Sequence, residues 1–440
     1  MPRLPSITIC YALASILFST LARADSPISP TFPYGEEKVR GVNIGGWLVL
    51  EPWVTPSLFE KTGNVNIVDE WTFGELQDKS VAEAALKDHW DTFYSEDDFK
   101  EIAAAGINHV RIPIGYWAFQ PSPDEPYISG QLPYLQKAIG WAGKHGLKVI
   151  VDFHGAPGSQ NGYDNSGHKM TTPTWASNST NVARTNSVLK EIAEMFTPQV
   201  EVASIIAPLN EPAGYFSDQV LEVTKQYWLD SYEAIRTQNG SETNTVVLIH
   251  DAFQNSSYWS DFMTSSEYQG VVLDTHIYQV FSDEKVNMTT NEHLQLACNQ
   301  TEILESYELD VVVGEWCPAI TDCAKYLNGR GVGARFDGTY PNSTYVGDCS
   351  LYTGSGASFS GDYKEFLRKF WEVQADAYET RYGWVQWLWK TEEGTGEEWS
   401  YKAGLEYGWI PQDPTERKYP GLCDSLQASI SLNINASINM

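Results

Sequence analysis

Eight short apolar runs, rich in β-branched residues, recur along this chain of 440 residues with helix-like segments between them. Runs of this kind are typical of strands buried on both faces of a parallel sheet. Their alternation with helices favours a single-domain (β/α)8 barrel. The alternative is a doubly wound open sheet, but no Gly-X-Gly-X-X-Gly motif follows the first run. The predicted strands are residues 42–50, 109–114, 149–153, 202–209, 246–250, 271–277, 311–315 and 384–389.

Helix-like segments lie between these runs, and three other stretches are predicted to be long loops. The stretch 52–80 has no clear helical pattern, while the loops 154–180 and 317–362 follow the third and seventh strands. Loops longer than about 15 residues in a compact domain are usually functional, so we expect the latter two to wall in the catalytic face. The predicted helices are residues 95–105, 132–145, 184–196, 218–236 and 363–378.

Two of the predicted strands end in glutamates. Glu211 lies in an Asn-Glu-Pro motif after the fourth strand, and Glu315 lies in a Gly-Glu-Trp motif at the end of the seventh. Side chains at the carboxyl ends of barrel strands project into the mouth of the barrel, where catalysis is sited. Cleavage of a glycosidic bond needs two carboxylates, one to protonate the leaving oxygen and one to attack the sugar or activate water. An exposed Glu211 that merely starts the next helix fits its strand-end position less well.

Further functional candidates lie in or at the ends of other strands. An arginine inside an apolar strand is costly to desolvate unless it pairs with an acid, so Arg111 predicts a nearby carboxylate. His154 ends the third strand, and His276 with Tyr278 ends the sixth, so we expect them to converge with the glutamates. Trp389 closes the eighth strand, where its ring either fills the core or stacks on the C–H face of a sugar.

The ends of the chain predict a secreted protein. Residues 1–24 combine Arg3, an apolar run of about 15 residues and a small-residue end, as secretory signal peptides do. Residues 25–38 form a Pro-rich lead-in, residues 39–425 the catalytic domain and residues 426–440 a C-terminal tail. The formal net charge of −28 argues against nucleic acid or membrane partners and suits a neutral substrate. We expect a monomer.

Sequons for N-glycosylation support secretion, because they mark surface positions of secreted proteins. They lie at Asn178, Asn239, Asn255, Asn287, Asn299, Asn342 and Asn435.

Cysteine usage points in the same direction. Cys10 leaves with the signal peptide, and an odd number then remains in the mature chain. In an oxidising compartment this implies two disulfides and one free thiol, in an arrangement that the sequence leaves open. No Cys-X-X-Cys or His-Glu-X-X-His spacing appears, so neither a metal nor another cofactor is predicted. The remaining cysteines are Cys298, Cys317, Cys323, Cys349 and Cys423.

With these motifs in view, the chain resembles the fungal exo-β-1,3-glucanases (glucan 1,3-β-glucosidases) of glycoside hydrolase family 5. The resemblance runs from about residue 39 to residue 423, and its motifs are specific when taken together. They are Gly-Val-Asn-Ile-Gly-Gly-Trp at 41–47, Glu-Pro at 51–52, Thr-Pro-Ser-Leu-Phe-Glu at 55–60, Arg-Ile-Pro-Ile-Gly at 111–115, Leu-Asn-Glu-Pro at 209–212, Gly-Glu-Trp at 314–316 and Trp-Lys-Thr-Glu at 389–392.

The resemblance implies a retaining mechanism with Glu211 as acid/base and Glu315 as nucleophile. Asn210 would hold the sugar 2-hydroxyl, while Arg111 and Tyr278 would orient Glu315 and keep it ionised. Two close carboxylates disfavour double ionisation, so we also expect a raised pKa for the acid Glu211.

The same resemblance implies a closed pocket. Glu51 would bind hydroxyls at its closed end, and Trp389 would form the sugar platform. The family position beside Glu51 often carries tyrosine, whereas this chain has Trp53, so a phenolic hydrogen bond would be lost. The resemblance also implies that His154 and His276 bind and support the first subsite. Tyr163 and Phe281 would form an aromatic clamp at the pocket entrance.

Disulfides Cys298–Cys423 and Cys323–Cys349 also follow from the resemblance, leaving Cys317 as the free thiol.

From the resemblance as a whole we expect a secreted enzyme of the extracellular space or cell wall that releases glucose from the non-reducing ends of β-1,3-glucan, with transglycosylation as a second outcome. The alternatives are a β-1,6-glucanase or another β-glycosidase of the same family, and a non-catalytic β-glucan-binding wall protein.

Overall fold

In the computed structural model, eight parallel strands close into a barrel in which each strand pairs with its neighbours in chain order and the last pairs with the first. The predicted (β/α)8 barrel is therefore confirmed. The structure describes residues 32–426, so the predicted signal peptide, the first half of the lead-in, Asn435 and nearly all of the tail lie outside it. The strands are β1 (Val39–Asn43), β2 (His109–Gly115), β3 (Lys148–Gly155), β4 (Ile205–Ala207), β5 (Val246–His250), β6 (Val271–Ile277), β7 (Val311–Trp316) and β8 (Gly383–Gln386).

Three strands differ from their predicted bounds by three residues or more at one end at least. The first was predicted at 42–50, but β1 ends at Asn43, its last residue paired with β2, and Gly46 then turns with a φ of 67°. The fourth strand was predicted at 202–209, but β4 covers only Ile205–Ala207. The eighth strand ends at Gln386 rather than at Trp389. Apolar sequence continues past these ends because the following loops are also buried, which composition alone does not separate from strand.

The helices surround the barrel. The predicted helices 184–196 and 363–378 each start earlier, because Asn178 and Ser360 cap their first turns. The helices are α1 (Pro56–Glu60), α2 (Glu70–Glu75), α3 (Lys79–Thr92), α4 (Glu96–Ala104), α5 (Leu132–Lys144), α6 (Ser179–Phe196), α7 (Asp218–Arg236), α8 (Asp283–Val286), α9 (Thr290–Cys298), α10 (Gln300–Glu305), α11 (Gly361–Tyr378) and α12 (Tyr401–Tyr407).

The sequence analysis singled out none of α1, α2, α3, α8, α9, α10 and α12. Of these, α3 is the first long helix of the barrel. Helix α3 buries only Ala82, Leu86, His89 and Trp90, so its apolar face is narrow and its pattern weak. Among residues 32–426, no helix is both long and apolar enough to cross a membrane.

The amino end of the barrel is closed by the last part of the lead-in. The Tyr34 hydroxyl lies 3.0 Å from His109 Nε2 and 2.7 Å from Ser204 Oγ, and the Phe32 ring packs edge-on against His109 at 4.7 Å. Only the carboxyl end of the barrel is therefore left open for a site.

Both long loops are tied to the 52–80 segment at this open end. Lys325 Nζ lies 2.6 Å from Glu60 Oε1, and the Lys169 backbone N–H donates to Asp69 Oδ2 at 2.6 Å. The disulfide Cys323–Cys349 closes part of the later loop, a constraint worth about 3 kcal/mol in the chain-entropy view. The three segments thus form one continuous wall.

The second disulfide, Cys298–Cys423, joins the end of α9 to the C-terminal segment, and Cys317 is free and buried. This is the pairing that the family resemblance implies. Burial raises the pKa of the Cys317 thiol well above its usual value, so we expect the thiol to react little in the folded protein. All described sequon asparagines are exposed, namely Asn178, Asn239, Asn255, Asn287, Asn299 and Asn342.

Candidate active site

The polar side chains predicted at the strand ends converge in the mouth of the barrel. They come from β2, β3, β6 and β7 and from the turns that follow β4 and β6. Except for Tyr278 and His276, which are partly buried, these residues are buried. The converging residues are Arg111, His154, Asn210, Glu211, His276, Tyr278 and Glu315.

Glu315 receives two strong donors, one on each carboxylate oxygen. Arg111 Nη1 donates to Oε1 at 2.8 Å, and the Tyr278 hydroxyl donates to Oε2 at 2.8 Å. The pair of donors fixes the rotation of the carboxylate and favours its ionised form. Glu315 is therefore held in a fixed orientation by hydrogen bonds to both of its carboxylate oxygens.

Arg111 is buried, as its place in an apolar strand requires, and it has the acid partners that this burial predicts. Its Nη2 lies 3.2 Å from Asp152 Oδ1 and donates to Asn210 Oδ1 at 2.7 Å, while Nη1 also donates to Asn43 Oδ1 at 3.0 Å. Burial alone would lower the pKa of Arg111, but the charges of Asp152 and Glu315 outweigh it and keep the guanidinium charged.

Glu211 has its backbone in the left-handed region, with a φ of 48°. A residue with a long side chain adopts this conformation at a cost of about 1 kcal/mol or more, and such strain is concentrated at functional sites. His276 Nδ1 lies 2.8 Å from Glu211 Oε1 and 3.5 Å from Glu315 Oε2. The nearest oxygens of the two carboxylates cannot be farther apart than the sum of these distances, a bound that is compatible with the ~5–5.5 Å between the carboxyl groups of retaining glycosidases.

The surroundings of His276 favour its protonated form, whereas the sequence analysis placed the proton on Glu211. Burial alone would lower the pKa of His276, but the charges of Glu315 and Asp274 and the hydrogen bond to Glu211 raise it well above its usual value. Asp274 Oδ2 lies 3.4 Å from His276 Nε2. This arrangement is possible because residue 314 is glycine, since a Cβ there would lie 2.1 Å from Asp274 Oδ1.

The expectation of a raised pKa for Glu211 is therefore wrong for the ligand-free protein. Burial does act to raise the pKa of Glu211, but the hydrogen bond and the charge of His276 lower it below its ordinary value. Burial raises the pKa of Glu315, against the opposing charges of His276 and Arg111. The sequence analysis considered the two carboxylates alone and left out the imidazolium that lies between them.

His154 and Asn210 form a second chain of polar contacts. His154 Nδ1 lies 2.6 Å from Asp152 Oδ2, and its Nε2 lies 3.4 Å from the Asn210 amide nitrogen. Asp152 thus supports both Arg111 and His154. The sequence carried a signal for it, an acid in the buried run that ends at His154, but the analysis did not single it out.

Glu51 and Trp53 lie together in the wall. Trp53 Nε1 donates to Glu51 Oε2 at 3.0 Å, so the indole supplies a donor where loss of a phenolic hydrogen bond was expected. Burial raises the pKa of Glu51 well above its usual value, and the charges of Asp164 and Glu315 add to this. Burial also raises the pKa of Asp164, to about 6. Asp164, in the 154–180 loop beside Tyr163, was missed by the sequence analysis.

The structure contradicts the assignment of the sugar platform to Trp389. That side chain is buried against α4, where its Nε1 donates to Asp98 Oδ1 at 3.2 Å. Trp387, two residues earlier, instead lies nearly parallel to the His154 ring, at 5.8 Å and 18°. A Cβ at residue 45 would lie 2.8 Å from the Trp387 ring, so Gly45 provides the space for this position.

Tyr163 and Phe281, the predicted entrance clamp, are both 45% exposed. The Tyr163 hydroxyl contacts the Tyr215 hydroxyl, four residues after Glu211, and the Phe281 ring packs on Tyr278 at 5.4 Å. Tyr163 therefore lies on the Glu211 side of the mouth and Phe281 on the Glu315 side.

Within residues 32–426, one group of three side chains has ligand types and spacing suited to a metal ion, namely Glu211, His250 and His276. The chemistry of this set fits a cation poorly. His250 Nδ1 accepts the Ala252 backbone N–H at 3.0 Å, so its other ring nitrogen, Nε2, carries the proton rather than a free lone pair. His276, with its raised pKa, is also protonated.

A closed parallel barrel with two carboxylates at the ends of its fourth and seventh strands, bridged by an imidazolium, defines a barrel glycoside hydrolase. The chain belongs to glycosyl hydrolase family 5, whose Cellulase model matches residues 75–325. It is 45% identical to a glucan 1,3-beta-glucosidase of Blumeria graminis, over 91% of this chain and 93% of the relative. It is also 45% identical to a probable glucan 1,3-beta-glucosidase A of Aspergillus terreus, over 89% of this chain and 92% of the relative. A crystal structure of rutinosidase from Aspergillus niger has the same fold, with a TM-score of 0.65, 20% identity, and coverage of 85% of this chain and 98% of that one.

Proposed function

We propose that this glycoside hydrolase is a retaining exo-enzyme that cleaves β-1,3-glucan from its non-reducing ends and releases glucose. The observation that carries the retaining assignment is His276 Nδ1, which lies within 3.5 Å of an oxygen of each carboxylate and so holds the two groups at a spacing compatible with the ~5–5.5 Å of retaining glycosidases. The linkage is supported by the names of the relatives in Blumeria graminis and Aspergillus terreus.

In the first step, Glu315 attacks the anomeric carbon and the bond to the leaving oxygen breaks. Arg111 and Tyr278 hold the attacking carboxylate in place. The proton that the leaving oxygen takes up comes from Glu211, which draws on the hydrogen bond with His276. The Glu211–His276 pair therefore acts as a single acid that carries one proton.

In the second step, Glu211 accepts a proton from the incoming water, which attacks the anomeric carbon and releases Glu315. Esterification of Glu315 has by then removed one of the negative charges facing His276. The pair gave up its one proton in the first step, and the loss of the Glu315 charge favours this deprotonated form, which accepts the proton of the incoming water.

The exo action is supported by the wall at one side of the mouth. Glu51 and Asp164 supply hydroxyl acceptors there, and Trp387 takes the platform role that was predicted for Trp389. The three wall segments are tied together by Lys325–Glu60 and by the contact of Lys169 with Asp69, so the pocket has a closed end and admits a chain terminus.

Secretion to the extracellular space or cell wall belongs to the same proposal, and so does a monomer without nucleic acid or membrane partners. Secretion is supported by the signal-like residues 1–24, the exposed sequon asparagines and the two disulfides. The net charge of −28 supports the absence of nucleic acid and membrane partners. A non-catalytic glucan-binding role is disfavoured because Glu211 and Glu315 are both in place with their supporting residues.

Digestion of laminarin should release glucose before any ladder of oligosaccharides, and the glucose should be the β-anomer before mutarotation. The closed pocket predicts the first result, and the carboxylate spacing predicts the second. Chromatography and NMR of the earliest time points measure both. Pustulan and carboxymethyl cellulose in parallel distinguish a β-1,6-glucanase or an endo-cellulase. An immediate ladder would contradict the closed pocket, and initial α-glucose would contradict retention.

The pH profile of kcat/KM on laminarin, whose leaving sugar needs a proton, should be bell-shaped. Activity needs an ionised Glu315, so it falls as the pH drops through the raised pKa of that residue. It also needs one proton on the Glu211–His276 pair, so it falls again as the pH rises through the raised pKa of His276. Replacement His276→Gln removes one of the two bases that share the proton and should move the alkaline limb to lower pH. An alkaline limb that stays in place in this variant would show that His276 does not share the proton of the acid.

A further inference from the structure

A buried tryptophan, Trp399, lies in the segment between β8 and α12 and has no role in the steps proposed above. Its ring centroid lies 5.1 Å from that of Trp53 and 5.7 Å from that of Tyr278. Trp53 donates a hydrogen bond to Glu51 in the wall, and Tyr278 donates one to Glu315. Trp399 therefore packs against two side chains that each hold a carboxylate of the site.

Tyr278 depends on packing for its position, because it lies just past the end of a strand. Strand β6 ends at Ile277, so its backbone hydrogen bonds to β7 stop one residue before Tyr278. The 2.8 Å hydrogen bond to Glu315 Oε2 needs a defined orientation of the ring, since hydrogen bonds weaken steeply when they are misaligned. The rings of Trp399 and Phe281 both pack on Tyr278, but Phe281 is 45% exposed. The buried Trp399 is therefore the firmer of these two supports.

The segment that carries this tryptophan is anchored by two successive buried acids. Glu398 accepts the Thr321 hydroxyl at 3.0 Å and also the Tyr363 hydroxyl. Glu397 accepts the Gly356 backbone N–H. These contacts join the segment to the loop after β7 and to the first turn of α11. Because a buried carboxyl group is costly unless it is hydrogen-bonded, two in succession mark a position that the fold holds firmly.

We propose that Trp399 is a positioning residue for the nucleophile: its ring, which also packs on Trp53, holds Tyr278 so that the tyrosine hydroxyl stays on Glu315. Residues that orient a reacting group need side chains whose own conformations are fixed by packing. This inference rests on the proposed function, in which Glu315 attacks as an anion, and it adds a residue that acts on Glu315 through Tyr278.

The acidic limb of activity reports this contact, because it follows the ionisation of Glu315. A hydroxyl that donates to a carboxylate lowers the pKa of the acid, so weakening the Tyr278 donor should raise that pKa and move the limb to higher pH. Glu398 stays protonated in this range, because burial raises its pKa to about 8. The other charged or titratable groups that face Glu315 or Tyr278, which the test leaves in place, are Glu51, Arg111, His154, Glu211, His276 and Cys317.

The test follows kcat/KM against pH on an aryl β-glucoside, whose glycosylation needs little acid assistance. Tyr278→Phe should move the acidic limb to higher pH by about one unit, since Glu315 loses a hydrogen bond to its charged form. Trp399→Leu should give most of this shift, and Trp399→Phe, which keeps a ring, should give a smaller one. In a Tyr278→Phe background neither change should add a further shift, because the hydroxyl through which Trp399 acts is absent.

Trp409→Leu is the matched control. Trp409 is a buried tryptophan just after α12, and its ring packs on those of Phe359 at 5.6 Å and Tyr407 at 5.8 Å. Its replacement leaves a similar cavity and should lower the unfolding temperature, while the acidic limb stays in place. Thermal unfolding of each variant checks that it is folded in the assay. If Trp399→Leu does not fold, Trp399→Phe and its double variant with Tyr278→Phe carry the test.

An acidic limb that stays within about 0.2 pH unit of wild type in the folded Trp399 variants would overturn the proposal. An equal shift in Trp409→Leu would also overturn it, because the shift would then report a general loosening of the protein. So would a further shift in the Tyr278→Phe background, because Trp399 would then act by another route. Failure of the proposed function is read separately, from activity near wild type in Glu315→Ala.

Discussion

Replacement of Glu315 by alanine should reduce hydrolysis of every β-glucoside by on the order of 10⁴-fold or more, because no other group can form the glycosyl-enzyme. The fold should persist, since Arg111 keeps its contact with Asp152 and its hydrogen bonds to Asn43 and Asn210. Steady-state rates on laminarin and on an aryl glucoside measure the loss, and thermal unfolding of the same variant checks the fold. Glu315→Gln, which retains the side-chain volume, is the companion variant in case the cavity destabilises the protein.

Azide should restore turnover of activated glucosides in Glu315→Ala. The anion is small enough for the vacated space and is drawn to Arg111, and it attacks the anomeric carbon from the face that Glu315 occupied. The product should be the α-glucosyl azide, which NMR distinguishes from the β-anomer. Rates near wild type without azide, or a β-azide product, would remove Glu315 from the nucleophile role.

The barrel and the core of its site could be predicted from sequence for a physical reason. Buried parallel strands leave long β-branched runs, and a polar side chain in or after such a run must either be paired or face the mouth. Arg111 is the clearest example, because its burial alone required the acid partners that Glu315 and Asp152 turn out to be. The helices missed between residues 56 and 92 have short or narrow apolar faces, so the sequence carries no clear helical pattern there.

Other features depend on contacts that no local pattern contains. Trp387 and Trp389 are two residues apart in one apolar segment, and only the end of β8 at Gln386 decides which ring reaches the site. The amino-acid composition of this segment fits either tryptophan as the sugar platform, and the choice of Trp389 was wrong. The protonation of the acid was predicted wrongly for a similar reason, because the charge of His276 depends on Asp274 and Glu315 lying on either side of it.

Replacement of Glu211 by alanine should affect substrates unequally. For laminarin, whose leaving sugar needs a proton, the glycosylation rate should fall by about 10²–10⁴-fold, the usual contribution of a general acid. For an aryl glucoside with an acidic phenol as the leaving group, glycosylation needs little acid assistance and should fall far less. Pre-steady-state release of the phenol isolates this step from the second one.

The second step of Glu211→Ala should be slow for all substrates, because water then lacks its base and the glycosyl-enzyme accumulates. The aryl glucoside should therefore give a burst of phenol followed by a low steady rate. Azide needs no base, so it should accelerate the steady rate and give the β-glucosyl azide, the opposite anomer from that expected with Glu315→Ala. The two variants thus assign the two carboxylates independently. Equal losses of glycosylation rate on laminarin and on the aryl glucoside, or an α-azide from Glu211→Ala, would show that Glu211 is not the acid/base.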